Sequence, residues 1–381
     1  MKDSHRVYFL AVSSFFYMTG IGASLAVFPL AIRSVGGSDL EVSVTIGIWA
    51  LVYLLANIPA GLVSDKLGPS VTVPLSFILN VPLGLLFYFG KSTPFYLAGR
   101  ALEGILEALI WTGIFGFTAK KFSGLKLKSF GLLYGAMSLG FSIGPSLSVY
   151  VSTVFGIYSP FLILSAVSIL ASIFSALSFK GIDKFKLSEK ERLPIDKLLA
   201  AIKEPVVIAY VLIAYIIGTF ESTFVSFSPE LVVSIGFAST MAGLLLTLYY
   251  SSGLVGQFSL NFIDKIVDKR AFPITSYILA LTVFTLTLIS SNTVFLVLFI
   301  ALAGFFNGLN TSRLQSKLSS RLRELESTAI GLGNTGWAIG YSGGATVYTL
   351  LFRNEMTVSL WIGLLTGILA LVSLYVALAE Q

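Results

Sequence analysis

The sequence contains no cysteine and a single histidine, His5. Disulfide bonds, thiol nucleophiles and thiolate metal sites are therefore excluded, and histidine is too rare to build a metal or catalytic centre. The phosphate-binding pattern G-x-x-x-x-G-K-S/T is also absent from the sequence, which argues against a nucleotide-driven machine in one chain. We therefore expect no metal, no cofactor and no enzymatic activity.

Charged residues are scarce as well, because they make up 12% of the 381 residues while 55% are hydrophobic. Ordinary soluble domains carry about 25% charged residues, so a water-soluble fold has too little charge to cover its surface. The charges are bunched between long apolar runs, as they are in chains whose solvent is the lipid bilayer. The basic residues form no surface interleaved with aromatic residues, so nucleic acid is not an expected partner.

Apolar runs of the length needed to cross a bilayer, about 20 residues, recur twelve times along the chain. We place them near residues 7–30, 42–63, 71–90, 94–118, 129–155, 158–179, 205–232, 240–263, 272–290, 293–312, 328–352 and 356–378. Residues 181–204 hold a dense run of charges that hydrocarbon cannot bury. The sequence therefore predicts an all-α integral membrane protein with two six-helix bundles, 1–180 and 205–381, and a cytoplasmic linker at 181–204.

Lysine and arginine alternate between the two sides of this predicted topology. The N-terminal segment and every second loop after it contain 21 of these residues, whereas the other loops contain three. Because positively charged loops stay on the cytoplasmic side, we predict that both termini are cytoplasmic. We expect a monomer embedded in the lipid of the plasma membrane.

The two halves of the chain resemble each other when the sequence is shifted by 200 residues. Five glycines of the first half then meet glycines of the second, in the pairs Gly36 and Gly236, Gly104 and Gly304, Gly131 and Gly331, Gly140 and Gly340, and Gly144 and Gly344. Glycines recur in membrane proteins where helices approach closely. Each half is therefore predicted to be one copy of the same six-helix pattern.

Three short motifs lie in the first half. They are G-x-x-x-D-K-x-G at Gly61, Asp65, Lys66 and Gly68, R-x-x-E-G at Arg100, Glu103 and Gly104, and G-x-x-x-G-P at Gly140, Gly144 and Pro145. Together with the twelve spans and the repeat, they make the chain resemble the major facilitator superfamily of secondary transporters. The second motif resembles one of proton-coupled members, with Glu in place of Gln, and the third resembles one of drug and proton antiporters.

The resemblance implies alternating access, with the first, fourth, seventh and tenth spans lining a cavity for a small-molecule substrate. It also implies that Asp65 faces the positive N-terminal end of the eleventh span and helps to close the cytoplasmic side. We expect Gly140, Gly144 and Pro145 to be positions of helix packing.

Ionisable side chains inside the spans are the strongest functional candidates, because their burial in hydrocarbon is costly. Arg100, Glu103 and Glu107 share one face of the fourth span at spacings of three and four residues. Arg100 and Glu103 either neutralise each other or face the cavity. Glu107 has no other cation near it in sequence, so it is a candidate carrier of a coupling proton, and hydrogen bonding to a neighbouring helix is the alternative. Glu221 in the seventh span is a further candidate.

Polar and aromatic residues in the other cavity-lining spans are candidate substrate contacts. They are Tyr17 in the first span and Asn307, Asn310 and Thr311 in the tenth. Packing is the alternative for the tyrosine, and interhelical hydrogen bonding is the alternative for the polar residues.

The fifth-span motif and the membrane carboxylates favour proton-coupled export of drug-like or other amphipathic compounds. An uptake carrier for a sugar or other small metabolite is the main alternative, followed by a membrane receptor that transports nothing. Uptake of an anion fits poorly, because Arg100 is the only cation within the predicted spans.

Overall fold

The computed structural model describes residues 3–121, 126–181, 203–266, 293–321 and 326–379. Within these ranges the chain forms α-helices, a short 3-10 helix at Ser239–Met241 and a π-helix at Tyr348–Phe352, and no strand. The α-helices are α1 (Asp3–Ser34), α2 (Asp39–Leu67), α3 (Pro69–Gly90), α4 (Thr93–Lys121), α5 (Lys126–Phe155), α6 (Pro160–Phe179), α7 (Pro205–Ser234), α8 (Ala242–Ile266), α9 (Thr293–Arg321), α10 (Glu326–Val347) and α11 (Val358–Ala379). The all-helical prediction is therefore confirmed for this part of the chain.

Nine helices of the described ranges are long and apolar enough to cross a membrane, namely all except α8 and α10. A helix satisfies its own backbone hydrogen bonds, which is what a segment surrounded by hydrocarbon requires. The helices α9, α10 and α11 correspond to the predicted spans ten, eleven and twelve. The predicted ninth span, 272–290, and most of the predicted linker lie outside the described residues.

The chain divides into two compact units, one of Met1–Lys190 with Thr240–Thr247 and one of Glu191–Ser239 with Leu248–Gln381. In the first unit, α1 packs against α5 and α6, α2 against α4, and α3 against α4 and α6. In the second unit, α7 packs against α10 and α11, and α9 packs against α10.

A single residue, Gly68, connects α2 to α3. Its φ of +87° lies in the left-handed region that a side chain disfavours, and its N–H donates to the carbonyl of Ser64 at 2.9 Å. Pro69 follows at the first position of α3, where a missing N–H costs no helical hydrogen bond. The last glycine of the loop motif therefore makes this sharp reversal possible.

The 200-residue offset found in the sequence recurs in the helix boundaries. The helices α1 and α7 end at Ser34 and Ser234, and α4 and α9 occupy 93–121 and 293–321. The turns that follow α1 and α7 also match, because Gly36 has a φ of +84° and Gly236 a φ of +86°. The same chain reversal is thus built twice, once in each unit.

The offset also holds for the closest helix contacts. A Cβ atom added at Gly140 of α5 would collide with the carbonyl oxygen of Phe15 in α1, and one added at Gly340 of α10 would collide with that of Tyr215 in α7. Residues 15 and 215 are themselves 200 apart. The two units therefore use equivalent glycines to bring equivalent pairs of helices together, as expected where helix backbones meet.

Candidate functional site

Arg100 and Glu103 form a buried ion pair within α4, with side chains 2% and 0% exposed. The arginine also lies over the rings of Phe28 and Trp49, with its Cζ atom 5.1 and 5.4 Å from the ring centroids. Aromatic faces attract a cation at such distances. The predicted mutual neutralisation of Arg100 and Glu103 is therefore present, and their exposure to a substrate cavity stays a prediction.

Glu107 lies one turn further along α4 and is 2% exposed. Its Oε2 accepts a hydrogen bond from the indole N–H of Trp111 at 3.1 Å, and its Oε1 lies 3.4 Å from the hydroxyl of Tyr17 in α1. Among the side chains that the structure describes, Glu107 forms no ion pair. The carboxyl group is thus held by neutral donors.

The ring of Tyr17 packs edge-on against Phe77 of α3, with centroids 5.1 Å apart, while its hydroxyl lies near Glu107. Its hydroxyl also lies 3.3 Å from Oδ1 of Asn80 in α3. The tyrosine and the asparagine are both fully buried. We call Tyr17, Asn80 and Glu107 the α1–α3–α4 cluster. Sequence reasoning missed Asn80, although an amide in the middle of an apolar span was an available signal.

Glu221 is buried in α7 of the second unit. Its Oε2 accepts a hydrogen bond from the indole N–H of Trp337 in α10 at 2.9 Å, and the hydroxyl of Tyr250 in α8 also interacts with this carboxyl group. The ring of Trp337 lies against Tyr341, with centroids 4.9 Å apart. Nothing in the sequence indicated that Trp337 is a partner of Glu221.

Asn307 of α9 donates a hydrogen bond to the hydroxyl of Tyr249 in α8 at 2.6 Å, and the hydroxyl of Thr311 lies 3.4 Å from its Oδ1. Asn310 is buried in the same helix. Asn307 also borders a narrow, mainly apolar pocket between α7, α9 and α11, which is lined by Ile216, Ile217, Phe220, Ala303, Phe306, Asn307, Leu365, Thr366 and Leu369. Of the three predicted substrate contacts of the tenth span, Asn307 therefore lines a pocket inside the second unit, and Asn310 and Thr311 are not among its lining residues.

The loop motif is described only in part. Gly61 faces open space, where a Cβ atom would meet nothing within 4 Å, and Lys66 is exposed. Asp65 belongs to α2 by its backbone, but its side chain lies outside the described part of the structure, as do the side chains at the start of α10. The predicted approach of Asp65 to that helix stays a prediction.

The repeat places different chemistry at equivalent positions of α4 and α9. A shift of 200 residues takes Arg100 to an isoleucine, Glu103 to an alanine and Glu107 to Asn307. Both helices nevertheless keep the same bounds and the same glycine contact, since Gly104 meets the backbone of residue 49 and Gly304 that of residue 249. The first unit therefore carries ionisable groups on a helix face where the second carries neutral ones.

Residues 10–345 match the Major Facilitator Superfamily. The chain therefore belongs to this family of membrane transporters, as its loop motif, its repeat and its spans predicted. Members of the family are in general transporters and not enzymes.

Two curated relatives illustrate the range of similarity. The quinolone resistance protein NorA of Staphylococcus aureus is 23% identical over 364 residues, which cover 91% of this chain and 90% of that protein. An uncharacterized MFS-type transporter of Methanocaldococcus jannaschii is 26% identical over 207 residues, about half of each chain, with 52% of this one and 51% of the relative.

Solved transporter structures share the fold at low sequence identity. A bacterial homolog of the human lysosomal transporter Spinster, in an inward-facing and unoccupied conformation, has a TM-score of 0.77 and 13% identity, covering 99% of this chain and 96% of that one. A point mutant of the nucleoside transporter NupG has a TM-score of 0.78 and 12% identity, covering 98% of both chains.

Proposed function

We propose that this protein is a twelve-span secondary transporter that exports drug-like or other amphipathic compounds in exchange for protons. In this proposal residues 1–180 and 205–381 form the two six-helix bundles, 272–290 is the ninth span, and 181–204 is the cytoplasmic linker. The protein acts as a monomer in the plasma membrane, with both termini in the cytoplasm.

The observation that carries the proposal is the setting of Glu107. A carboxylate in the hydrocarbon region is costly and is usually found with a cationic partner. Glu107 is buried and held by Tyr17 and Trp111, which are neutral donors, and it forms no ion pair among the described side chains. Such a carboxyl group can take up and release a proton without breaking a salt bridge. Glu221, held by Trp337, has the same kind of setting and is the second candidate.

Export of an amphipathic compound is supported by the similarity to NorA, which is named for quinolone resistance and matches most of this chain. In the second unit, Asn307 offers an uncharged hydrogen-bonding group to a mainly apolar pocket, and Asn310 and Thr311 lie on the same helix. This combination suits a largely apolar solute better than a sugar, whose hydroxyl groups need many polar partners.

In the proposal Asp65 and Lys66, framed by Gly61 and Gly68, regulate opening on the cytoplasmic side.

Reconstituted vesicles test the proposal directly. Wild-type protein should accumulate a fluorescent quinolone in vesicles whose lumen is more acidic than the medium. Glu107→Gln keeps the shape of a protonated carboxyl group but cannot release a proton, so it should abolish driven accumulation. Exchange of labelled for unlabelled quinolone at equal pH should persist, because it needs no net proton movement.

Glu355→Gln is the matched control, because Glu355 is exposed in the loop before α11 and should behave as wild type. Strong acid-driven accumulation by Glu107→Gln would remove this residue from the coupling mechanism and leave Glu221 as the next candidate. Transport of a sugar or nucleoside in place of the quinolone would favour the uptake carrier. Absence of transport of any tested solute would favour a receptor.

A further inference from the structure

The hydroxyl group of Tyr17 faces two hydrogen-bond acceptors but has one hydrogen to donate. Its oxygen lies 3.3 Å from Oδ1 of Asn80 and 3.4 Å from Oε1 of Glu107. Hydrogen bonds between oxygen atoms are usually about 2.7 to 2.8 Å long. Both contacts are longer than an ordinary hydrogen bond, and the hydroxyl hydrogen can therefore point to either acceptor.

Both acceptors are held in place by other bonds. The amide nitrogen of Asn80 donates to the carbonyl of Ser76 at 2.8 Å, which fixes the amide so that its oxygen faces Tyr17. Trp111 donates to the other oxygen of Glu107 at 3.1 Å. The three side chains of the cluster are each at most 2% exposed, so bulk water does not compete for the hydrogen. Rotation of the Tyr17 hydroxyl is the remaining freedom.

We propose that Tyr17 is a hydrogen-bond switch that reports the charge of Glu107 to α3. When Glu107 is ionised it can only accept, and Tyr17 donates to it. When Glu107 is protonated its O–H can donate to the Tyr17 oxygen, and the tyrosine hydrogen then turns to Asn80. The inference rests on the proposed function in one respect, since it takes Glu107 to change its protonation state during transport.

The switch couples the proton on one helix to the hydrogen bonding of another. Only the protonated state of Glu107 gives a continuous chain of donors from α4 through α1 to α3. In the ionised state the α3 acceptor loses the tyrosine hydrogen, and burial makes an unsatisfied polar group costly. The position of α3 relative to α1 and α4 is therefore more favourable when Glu107 is protonated than when it is ionised. Tyr17 is thus a positioning residue within the coupling step.

Other titratable groups face Glu107 from the helices around it. Arg100 and Glu103 precede it on α4 and form an ion pair with each other. Tyr53 of α2 interacts electrostatically with Glu107, and Tyr134 of α5 with Tyr53. From α3 the facing group of the cluster is the uncharged Asn80. Because Arg100 and Glu103 compensate each other, gain or loss of the Glu107 proton is the charge change that Tyr17 senses.

Tyr17→Phe removes the hydrogen of the switch and leaves the ring against Phe77 in place. It should reduce acid-driven quinolone accumulation about tenfold, the scale of one hydrogen bond. Tyr96→Phe is the matched control, because Tyr96 is equally buried in the same unit and its hydroxyl has no hydrogen-bond partner among the described residues. Equal behaviour of the two variants would overturn the proposal.

Asn80→Leu removes the second acceptor and should reproduce the transport defect of Tyr17→Phe. The double variant Tyr17→Phe with Asn80→Leu should be no worse than either single one, because both break the same chain. Additive losses would indicate two independent packing defects and would contradict a switch.

Infrared spectroscopy of the purified protein in lipid tests the switch without transport. The carboxyl stretching band that disappears in Glu107→Gln should move to higher frequency in Tyr17→Phe, because the protonated carboxyl group loses a hydrogen-bond partner. The band should stay in place in Tyr96→Phe. An unshifted band in Tyr17→Phe would refute the switch even if Glu107 carries the proton. A shifted band together with intact driven transport in Glu107→Gln would refute the proposed coupling and retain the switch.

Discussion

Arg100 and Glu103 neutralise each other inside α4, where both side chains are almost completely buried. A charge in such a place is tolerated because its partner is present, and loss of one partner leaves the other charge buried alone. The pair therefore behaves as one unit, and the cost of altering it depends on whether one member or both are changed.

We predict that Arg100→Met lowers the free energy of unfolding by about 3 to 5 kcal/mol, because it leaves Glu103 without its cation. The double variant Arg100→Met with Glu103→Leu should recover most of this loss. Thermal unfolding of the protein in detergent measures both. Arg33→Met is the control, because its partner Asp39 is about a third exposed and such pairs contribute about 0 to 1 kcal/mol. A double variant as unstable as the single one would contradict the prediction.

Glycines of α10 should differ sharply in their response to alanine. A Cβ atom at Gly340 would collide with the carbonyl oxygen of Tyr215, whereas one at Gly343 would meet nothing within 4 Å. We expect Gly340→Ala to destabilise the fold by about 1 to 3 kcal/mol through overpacking. Gly343→Ala should be neutral or slightly stabilising, because alanine favours a helix over glycine by about 0.5 to 1 kcal/mol. Thermal unfolding midpoints check this order, and equal midpoints would refute the packing role of Gly340.

The indole of Trp337 should matter because its acceptor is a buried carboxyl group. Trp337→Phe leaves one oxygen of Glu221 without its indole donor, and an unsatisfied buried polar group costs about 1 to 3 kcal/mol. Trp361→Phe is the matched control, since the indole of Trp361 donates to the neutral hydroxyl of Thr223. We expect the first variant to lower the unfolding temperature more than the second. The reverse order would argue against a stabilising hydrogen bond between Trp337 and Glu221.

The absence of cysteine allows a direct test of the predicted orientation. A single cysteine introduced at Ser38, which is exposed before α2, or at Ser188 in the predicted linker would be the only thiol in the protein. Because the loops rich in lysine and arginine are predicted to be cytoplasmic, a membrane-impermeant maleimide added to intact cells should label position 38 and not 188. Labelling at 188 alone would show that the orientation is the opposite of the predicted one.

The sequence alone predicted that lipid surrounds the chain, that the fold is helical and that the chain belongs to its family. Low charge and long apolar runs predicted helices within hydrocarbon, and the 200-residue offset predicted equivalent contacts, such as those of Gly140 and Gly340. Spacings of three and four residues correctly placed Arg100, Glu103 and Glu107 on one face of α4. These features depend on local composition and helical period, which a single chain displays directly.

Only the tertiary structure decided which side chains meet across helices. Tyr17 and Glu107 are 90 positions apart in the sequence, and Glu221 and Trp337 are 116 apart. In a bilayer, the face that a helix turns to lipid is as apolar as much of the face it turns to its neighbours. Hydropathy therefore determines that a segment spans the membrane, but the rotation of each helix about its axis is determined by packing. That rotation brings Asn80 and Tyr17 to Glu107.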